Sequence, residues 1–255
     1  MQKIEMEIKG KYTVKSNRRL THKTWVMTLG GDTGAITAPG QFVNVAIPGK
    51  YLRRPISICD YSHERGEIVL LYDVVGEGTL AMSGMRQGDT LDLLNGLGNG
   101  FTLDADSRRP LLLGGGIGCA PLLSLASALR RRGKNPVAIL GYNTAADSFG
   151  MDRWFEEAGV EAYIATVDGS IGTKGFVTDV IREKHIEGDY FHACGPMPML
   201  RALCTGLDIP GEVSIESRMG CGFGACMCCS VETADGSKRI CKDGPVFRKE
   251  ELIWK

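Results

Sequence analysis

The chain has no surplus of either charge, and this absence excludes two classes of protein at once. Lysine plus arginine and aspartate plus glutamate number 30 each, for a formal net charge of zero. A nucleic-acid binder, or a protein held electrostatically to a membrane, needs a basic excess that is missing here. Long apolar runs are missing too. No 18 consecutive apolar residues occur, and the opening MQKIEMEIKG has no hydrophobic signal core, so a soluble, cytoplasmic protein is expected. Histidine is scarce. His22, His63, His185 and His192 are scattered and give neither metal-ligand spacing nor part of a Ser-His-Asp set.

Cysteine and glycine, in contrast, are plentiful, and both are concentrated. Five of the nine cysteines fall between Cys221 and Cys241, in the stretch ESRMGCGFGACMCCSVETADGSKRICKDGPVF. Cys221, Cys226, Cys229 and Cys241 give C-x4-C-x2-C-x11-C, the plant-type ligand spacing of a [2Fe–2S] cluster. Gly220, Gly222 and Gly224 are expected to take positive φ, letting the loop fold tightly and aim backbone N–H groups at the cluster's negative charge. Cys228, beside Cys229, belongs to neither spacing and reads as a non-ligand. Two other readings fit four cysteines. Disulfides are disfavoured because nothing marks the chain as secreted. A structural zinc site usually presents two short C-x2–4-C hairpins, whereas three of these ligands share one glycine-rich loop and the fourth stands alone.

The first hundred residues read as short strands separated by turns, which points to an antiparallel barrel or sandwich. Strands are predicted over 7–16, 24–29, 41–47, 56–61, 67–72 and 90–94, with a short helix over 79–84. Two places carry chemistry. In Arg53-Arg54-Pro55-Ile56-Ser57, an arginine at a strand entrance can bind a pyrophosphate bidentately, and Ser57 can hydrogen-bond a flat polar ring. In Gly76-Glu77-Gly78-Thr79, a glycine-rich turn opens a helix whose free N–H groups suit phosphate. Alone, the first is more often surface structure and the second an ordinary capped turn. Together they suggest a dinucleotide held across a barrel.

Gly96-Leu97-Gly98-Asn99-Gly100 reads as a hinge, and beyond it strands alternate with helices, as in a parallel sheet built of βαβ units. Strands are predicted over 110–113, 137–142, 160–166 and 190–193, and helices over 120–131, 152–157, 178–184 and 197–206. Between the first strand and helix stands Gly114-Gly115-Gly116-Ile117-Gly118. It is not the G-x-G-x-x-G fingerprint, yet a nucleotide pyrophosphate belongs at this position; a close strand-to-helix turn is the plainer reading. Pro121 suits the first helical turn. After the last strand comes Cys194-Gly195-Pro196-Met197, where a thiol could line a pocket beyond the carboxyl end of the sheet or simply be a core cysteine.

Taken together, Arg54-Pro55-Ile56-Ser57, Gly76-Glu77-Gly78-Thr79, Gly114-Gly115-Gly116-Ile117-Gly118-Cys119-Ala120-Pro121 and Cys194-Gly195-Pro196-Met197 resemble the ferredoxin reductase-like family of flavoproteins. The cysteine-rich tail, with Asp168-Gly169-Ser170-Ile171-Gly172-Thr173-Lys174-Gly175-Phe176, looks like the electron transfer subunits of type B, NAD-dependent dihydroorotate dehydrogenases. The resemblance runs from about Tyr12 to Phe247. It implies an FAD-binding β-barrel over 1–100, an NAD-binding α/β domain with a parallel sheet over 101–212, and a small [2Fe–2S] module over 213–255. By motif, Arg54 with Pro55 and Ile56 would meet the FAD pyrophosphate and Ser57 the flavin's polar edge. Gly76, Gly78 and Thr79 would support the FAD phosphates. Gly114, Gly116 and Gly118 would serve the NAD pyrophosphate, with Cys194 and Gly195 near the nicotinamide. Cys221, Cys226, Cys229 and Cys241 would hold the cluster. One departure is Gly96, where the family's hinge has proline; a looser hinge is expected.

The resemblance also implies a partner, an FMN-containing catalytic subunit that oxidises dihydroorotate in pyrimidine biosynthesis, in a heterotetramer of two copies of each chain. Electrons would pass through the cluster and FAD and leave as hydride to NAD⁺. NAD is favoured over NADP because Asn143-Thr144-Ala145-Ala146-Asp147, after the second strand of the sheet, offers no cation for a 2′-phosphate. Met219, Phe223, Ala225 and Met227 give the cysteine loop an apolar composition suited to an interface core, or to packing on the larger domains. Two competing readings are a related iron–sulfur flavoprotein subunit of a hydrogenase or transhydrogenase, and a non-redox nucleotide-binding module stabilised by zinc.

Overall fold

In a computed structural model, residues 8–254 are described; residue 7 of the first predicted strand lies outside them. The barrel comprises β1 (Lys9–Arg19), β2 (Thr24–Gly30), β3 (Phe42–Ala46), β4 (Arg54–Ser62), β5 (Glu67–Asp73), helix α1 (Glu77–Ser83) and β6 (Thr90–Leu97). It closes in the order β1-β2-β5-β4-β3-β6, all neighbours antiparallel. The sequence explains the closure. Along β6, residues 91, 93, 95 and 97 are buried and their neighbours are not, the period-2 pattern of a strand with one face on a core. Val43, Val45, Ile58, Ile68 and Leu70 fill the interior. Each such aliphatic side chain contributes roughly 1.5–3 kcal/mol by leaving water.

The second half contains β7 (Pro110–Gly115), α2 (Pro121–Arg131), β8 (Val137–Tyr142), α3 (Met151–Glu157), β9 (Glu161–Thr166), β10 (Thr173–Lys174), α4 (Val177–Glu183), β11 (Tyr190–Cys194), α5 (Met197–Gly206) and β12 (Gly211–Ser214). The cysteine-rich tail adds the hairpin β13 (Ser230–Thr233) and β14 (Gly236–Arg239), the short helix α6 (Ile240–Asp243) and β15 (Val246–Arg248). The sheet order is β10-β9-β8-β7-β11-β12-β15, parallel except for β15, which runs antiparallel beside β12. Two elements depart from the linear division of the sequence. β12 straddles residue 212, and β15, from the tail, completes the sheet rather than standing in a separate module. Cys229 and Cys241 share a core with Leu111, Leu113, Ile139 and Phe191 of the sheet, and with Phe42 and Leu97 of the barrel.

Helix α2 joins barrel to sheet: Leu122, Leu125 and Leu129 share a core with Cys59 and Leu71 of the barrel and Leu112 and Leu140 of the sheet. Pro121 sits at its start, where a missing N–H costs nothing.

The hinge differs from expectation. Gly96 belongs to β6 at φ 61°, and a Cβ there would run into the carbonyl of Ala35. Its glycine serves a tight approach, not looseness. Gln41 donates to the carbonyls of Gly96 and Gly98, both at 2.9 Å, and Asn99 hydrogen-bonds the main chain at Asp243, Gly244 and Val246. The segment is riveted at both ends. Gly96→Ala combines left-handed strain with the steric conflict and is expected to destabilise by about 2 kcal/mol or more, read as a lower thermal midpoint. An unchanged midpoint would refute the tight-approach account. Among the described residues, no helix is long and apolar enough to cross a membrane.

Candidate functional site

The cysteine loop is folded around its own sulfurs. The N–H groups of Ala225 and Cys226 donate to Cys221 Sγ at 3.2 and 3.4 Å, and the Cys221 N–H donates to Cys226 Sγ at 3.3 Å. Across the loop, the Cys241 N–H donates to Cys229 Sγ at 3.4 Å. The four cysteines thus associate in two pairs, Cys221 with Cys226 and Cys229 with Cys241. Two thiolates for each of two irons is the donor set of a [2Fe–2S] cluster, so the residues fit that group.

Burial acts to raise the Cys221 thiol, but donation from the N–H groups of Cys226, Phe223 and Ala225 outweighs it and draws the thiol down to about 6. Burial and the neighbouring Cys229 push Cys241 up to about 12. The loop therefore already favours negative sulfur on the Cys221 side, where the main chain converges. Cys228 is turned away, its Sγ 3.8 Å from the carbonyl of Arg218.

Glycine conformations here are partly as expected. Gly222 and Gly224 have φ of 81° and 91°, but Gly220 does not have positive φ; a Cβ there would lie 2.9 Å from Cys226 Sγ, so sulfur proximity is what it accommodates. Met227 takes the left-handed conformation instead, at φ 60°. Phe223, Ala225 and Met227 are exposed, whereas Met219 packs against the core of the sheet.

On the barrel, the two adjacent arginines have separate tasks. Arg53 is structural: it donates to the carbonyls of Asn44 and Asp92 and pairs with the Asp92 carboxylate at 2.6 Å. Arg54 makes no ion pair among the described residues and lies over the first turn of α1, so close to Gly78 that a Cβ there would collide with its guanidinium. Two motifs about 20 residues apart in sequence thus meet in space. Thr79 is buried and its hydroxyl is committed to that turn, accepting from the N–H of Val75 at 3.0 Å. Pro55 and Ser57 stand opposite Asn44 and Phe42 in the β3–β4 register, on the outer face of the barrel.

A cavity of about 390 Å³ opens between barrel and sheet. Lys23, Thr24 and Asp73 line it from the barrel, and Gly115, Gly116, Ile117, Tyr142, Phe176 and Met199 are among those lining it from the other side. It lies where the strand order reverses, between β7 and β11, the place at which open α/β sheets bind ligands. Of the alternating glycines only Gly116 faces it, at φ 56° with open space around its Cα. Gly114 instead packs on Cys119, and Gly118 on the Cys194 carbonyl, where a Cβ would stand 2.5 Å away. The Cys194 thiol is buried, not on the cavity wall, and burial raises it far above the usual thiol range. Gly195 packs against Met199 and the main chain of Gly115, so the second motif shapes the cavity through Pro196 and Met199. Asp168 and Ser170 close a tight turn that hydrogen-bonds the Ala145 N–H, and Phe176, 62% exposed, lines the cavity.

Barrel, reversal-point cavity and thiol loop together define an oxidoreductase of the ferredoxin reductase-like class with an iron–sulfur segment added. A chain in the structure titled "Insights into flavin-based electron bifurcation via the NADH-dependent reduced ferredoxin-NADP oxidoreductase structure" superposes with a TM-score of 0.88 at 30% identity, over 95% of this chain and 90% of that one. A ferredoxin NADP⁺ reductase from Neisseria gonorrhoeae with bound FAD and NADP shares the fold, with a TM-score of 0.64 at 17% identity over 76% of this chain and 87% of that one. The iron-sulfur cluster binding domain of dihydroorotate dehydrogenase B matches residues 216–253. Relatives named "Dihydroorotate dehydrogenase B (NAD(+)), electron transfer subunit" include one from Bacillus caldolyticus, 43% identical over 251 residues, 94% of this chain and 97% of the relative. Another, from Fusobacterium nucleatum subsp. nucleatum, is 40% identical over 252 residues, 94% of this chain and 96% of the relative. The chain belongs to the family of electron transfer subunits of NAD-dependent dihydroorotate dehydrogenase B.

Proposed function

We propose that the chain receives electrons from an FMN-containing subunit that oxidises dihydroorotate, and delivers them as hydride to NAD⁺ in the cytoplasm, within an assembly of two copies of each subunit. The observation that carries this reading is the two-by-two arrangement of Cys221, Cys226, Cys229 and Cys241 on a loop packed against a flavin-type barrel. A bound flavin exchanges two electrons with a nicotinamide and single electrons with a [2Fe–2S] cluster, so one chain holding all three supplies the conversion.

The chain's own residues bind and orient. Arg54, lying over Gly78, neutralises a pyrophosphate beside the N–H groups that begin α1, while Thr79 holds the turn in shape. Ser57 offers its hydroxyl to the ring's polar edge. Gly116 lets a nucleotide phosphate approach the main chain, and Ile117, Phe176 and Met199 give the cavity its apolar walls. The nucleotide is NAD rather than NADP because the cavity's lysine, Lys23, is already paired with Asp73 at 3.3 Å and Asp147 adds negative charge. The exposed Phe223 and Met227 on the cysteine loop present apolar contacts to the partner. The likeness to the NADH-dependent ferredoxin–NADP oxidoreductase supports a relay to some other protein, but at 30% identity it stands below the 43% shared with the Bacillus caldolyticus subunit.

Anaerobic purification with the bound partner, followed by iron, sulfide and flavin analysis, tests the reading. About two irons, two labile sulfides and one FAD per chain are expected, and stoichiometric zinc without sulfide would overturn it. For the flavin site, Arg54→Ala removes a charge-assisted contact worth roughly 1.5–3 kcal/mol, so FAD affinity should fall about 10- to 100-fold with iron content unchanged. Equilibrium flavin titration measures this; wild-type affinity would return Arg54 to a plain surface role.

A further inference from the structure

Asn44 ties the barrel wall to a cysteine of the cluster motif through its side chain. It lies on β3, 1% exposed, flanked by Val43 and Val45, which point into the barrel. Its own side chain lies on the opposite, outer face, and its Nδ2 donates to the carbonyl of Cys221 at 3.1 Å, across 177 residues of sequence. The loop is shaped to receive it: Gly222 has φ 81°, and a Cβ there would collide with Asn44 Nδ2. On the strand side, Arg53 fixes the Asn44 carbonyl at 3.2 Å while clamping Asp92 of β6.

The amide is only half used. The Asn44 Oδ1 is buried without a hydrogen-bond partner among the described residues. An unpaired buried carbonyl costs about 1–3 kcal/mol, which offsets much of what the single amide donation contributes. What the amide does achieve is positional. In the β3–β4 register Asn44 stands opposite Pro55, two pairs along from Phe42 opposite Ser57. The same outer face therefore carries the proposed flavin contact and the anchor of Cys221.

We propose that Asn44 is a positioning residue that locks the Cys221 end of the iron–sulfur loop to the flavin-bearing face of the barrel, fixing both the cluster's surroundings and the electronic contact between the two redox groups. The inference rests on the reading that Cys221 is a cluster ligand and that flavin lies along β4. A wild-type complex lacking iron and sulfide would defeat that reading before Asn44 was tested. Asn44 holds no redox group itself; it acts through Cys221.

The test uses the complex of this chain with its partner, in wild-type, Asn44→Leu and Asn44→Ser forms. Leucine nearly conserves volume and removes the donor, and serine, a shorter side chain, draws its remaining O–H donor back from the Cys221 carbonyl. Three quantities are read: FAD and iron content, the electron paramagnetic resonance spectrum of the dithionite-reduced cluster, and the stopped-flow rate of electron exchange between flavin and cluster. Both variants should retain FAD while shifting the cluster's g-values and slowing exchange about tenfold. Wild-type spectrum and rate in either FAD-retaining variant would overturn the proposal. So would loss of FAD together with iron in both, which would make Asn44 a barrel-folding residue. Gly222→Ala, pressing on the same amide from the loop side, should reproduce the spectral shift.

Discussion

Replacing Cys229 by serine should abolish dihydroorotate-dependent NAD⁺ reduction, while the same change at Cys228, one residue away, should leave it intact. Cys229 is buried, its sulfur accepts the Cys241 N–H at 3.4 Å, and it pairs with the fourth cysteine of the motif. A serine oxygen is a poor substitute for thiolate at iron, and the loss of one of four ligands exceeds the 10- to 100-fold effects typical of outer-shell changes around metals. The expected loss is therefore more than about 100-fold, with the cluster's absorbance and paramagnetic signal lost or altered. Cys228 projects towards Arg218 and takes no part in either sulfur pair. Survival of the cluster in Cys229→Ser together with its loss in Cys228→Ser would mean that the loop register is wrong. The same experiment on Cys221, Cys226 and Cys241 should follow Cys229.

The second large effect concerns the partner. The isolated chain should reduce artificial acceptors with NADH through its flavin, yet show no dihydroorotate oxidation until the FMN-bearing subunit is added. Phe223 is half exposed on a loop between two cysteines of the motif, and Met227, also half exposed, lies beside it in the loop. An aromatic side chain buried at an interface centre is commonly worth 2 kcal/mol or more, and aspartate there adds an unpaired charge. Phe223→Asp should weaken association at least ~30-fold and remove the coupled activity, while NADH–acceptor activity stays at the wild-type level. Light scattering and coupled assays at matched subunit concentrations would measure both. Dihydroorotate oxidation by the partner-free chain would sink the relay, and undiminished association of Phe223→Asp would move the interface elsewhere.

The cysteine spacing was readable without coordinates because thiolate ligands in one loop must sit at fixed separations to reach a compact core. The strand over 90–94 and the glycine turn after Leu113 were readable for a similar reason: strand patterns and tight turns are local properties. Other features had no local signal. Asn44 is an ordinary polar residue in a strand, and only its meeting with Cys221 and Gly222, far along the chain, gives it a task. Gly96 looked like a source of looseness because glycine is permissive by itself; the carbonyl of Ala35, 61 residues earlier, makes it a close-packed rivet point. Cys194, at a strand end, could be read either as a pocket thiol or as a core cysteine; burial places it in the core and leaves Pro196 and Met199 at the cavity.

By itself, the sequence determined the kinds of groups the protein can hold, because ligand spacing, glycine turns and strand periodicity act over a few residues. Tertiary structure decided how those groups are connected. The return of β15 to the sheet, the meeting of Arg54 with Gly78, the cavity between Lys23 and Gly116, and the junction of Asn44 with Cys221 all depend on contacts between residues distant in sequence. Such contacts are set by the packing of a shared core, and no short stretch of the chain encodes them.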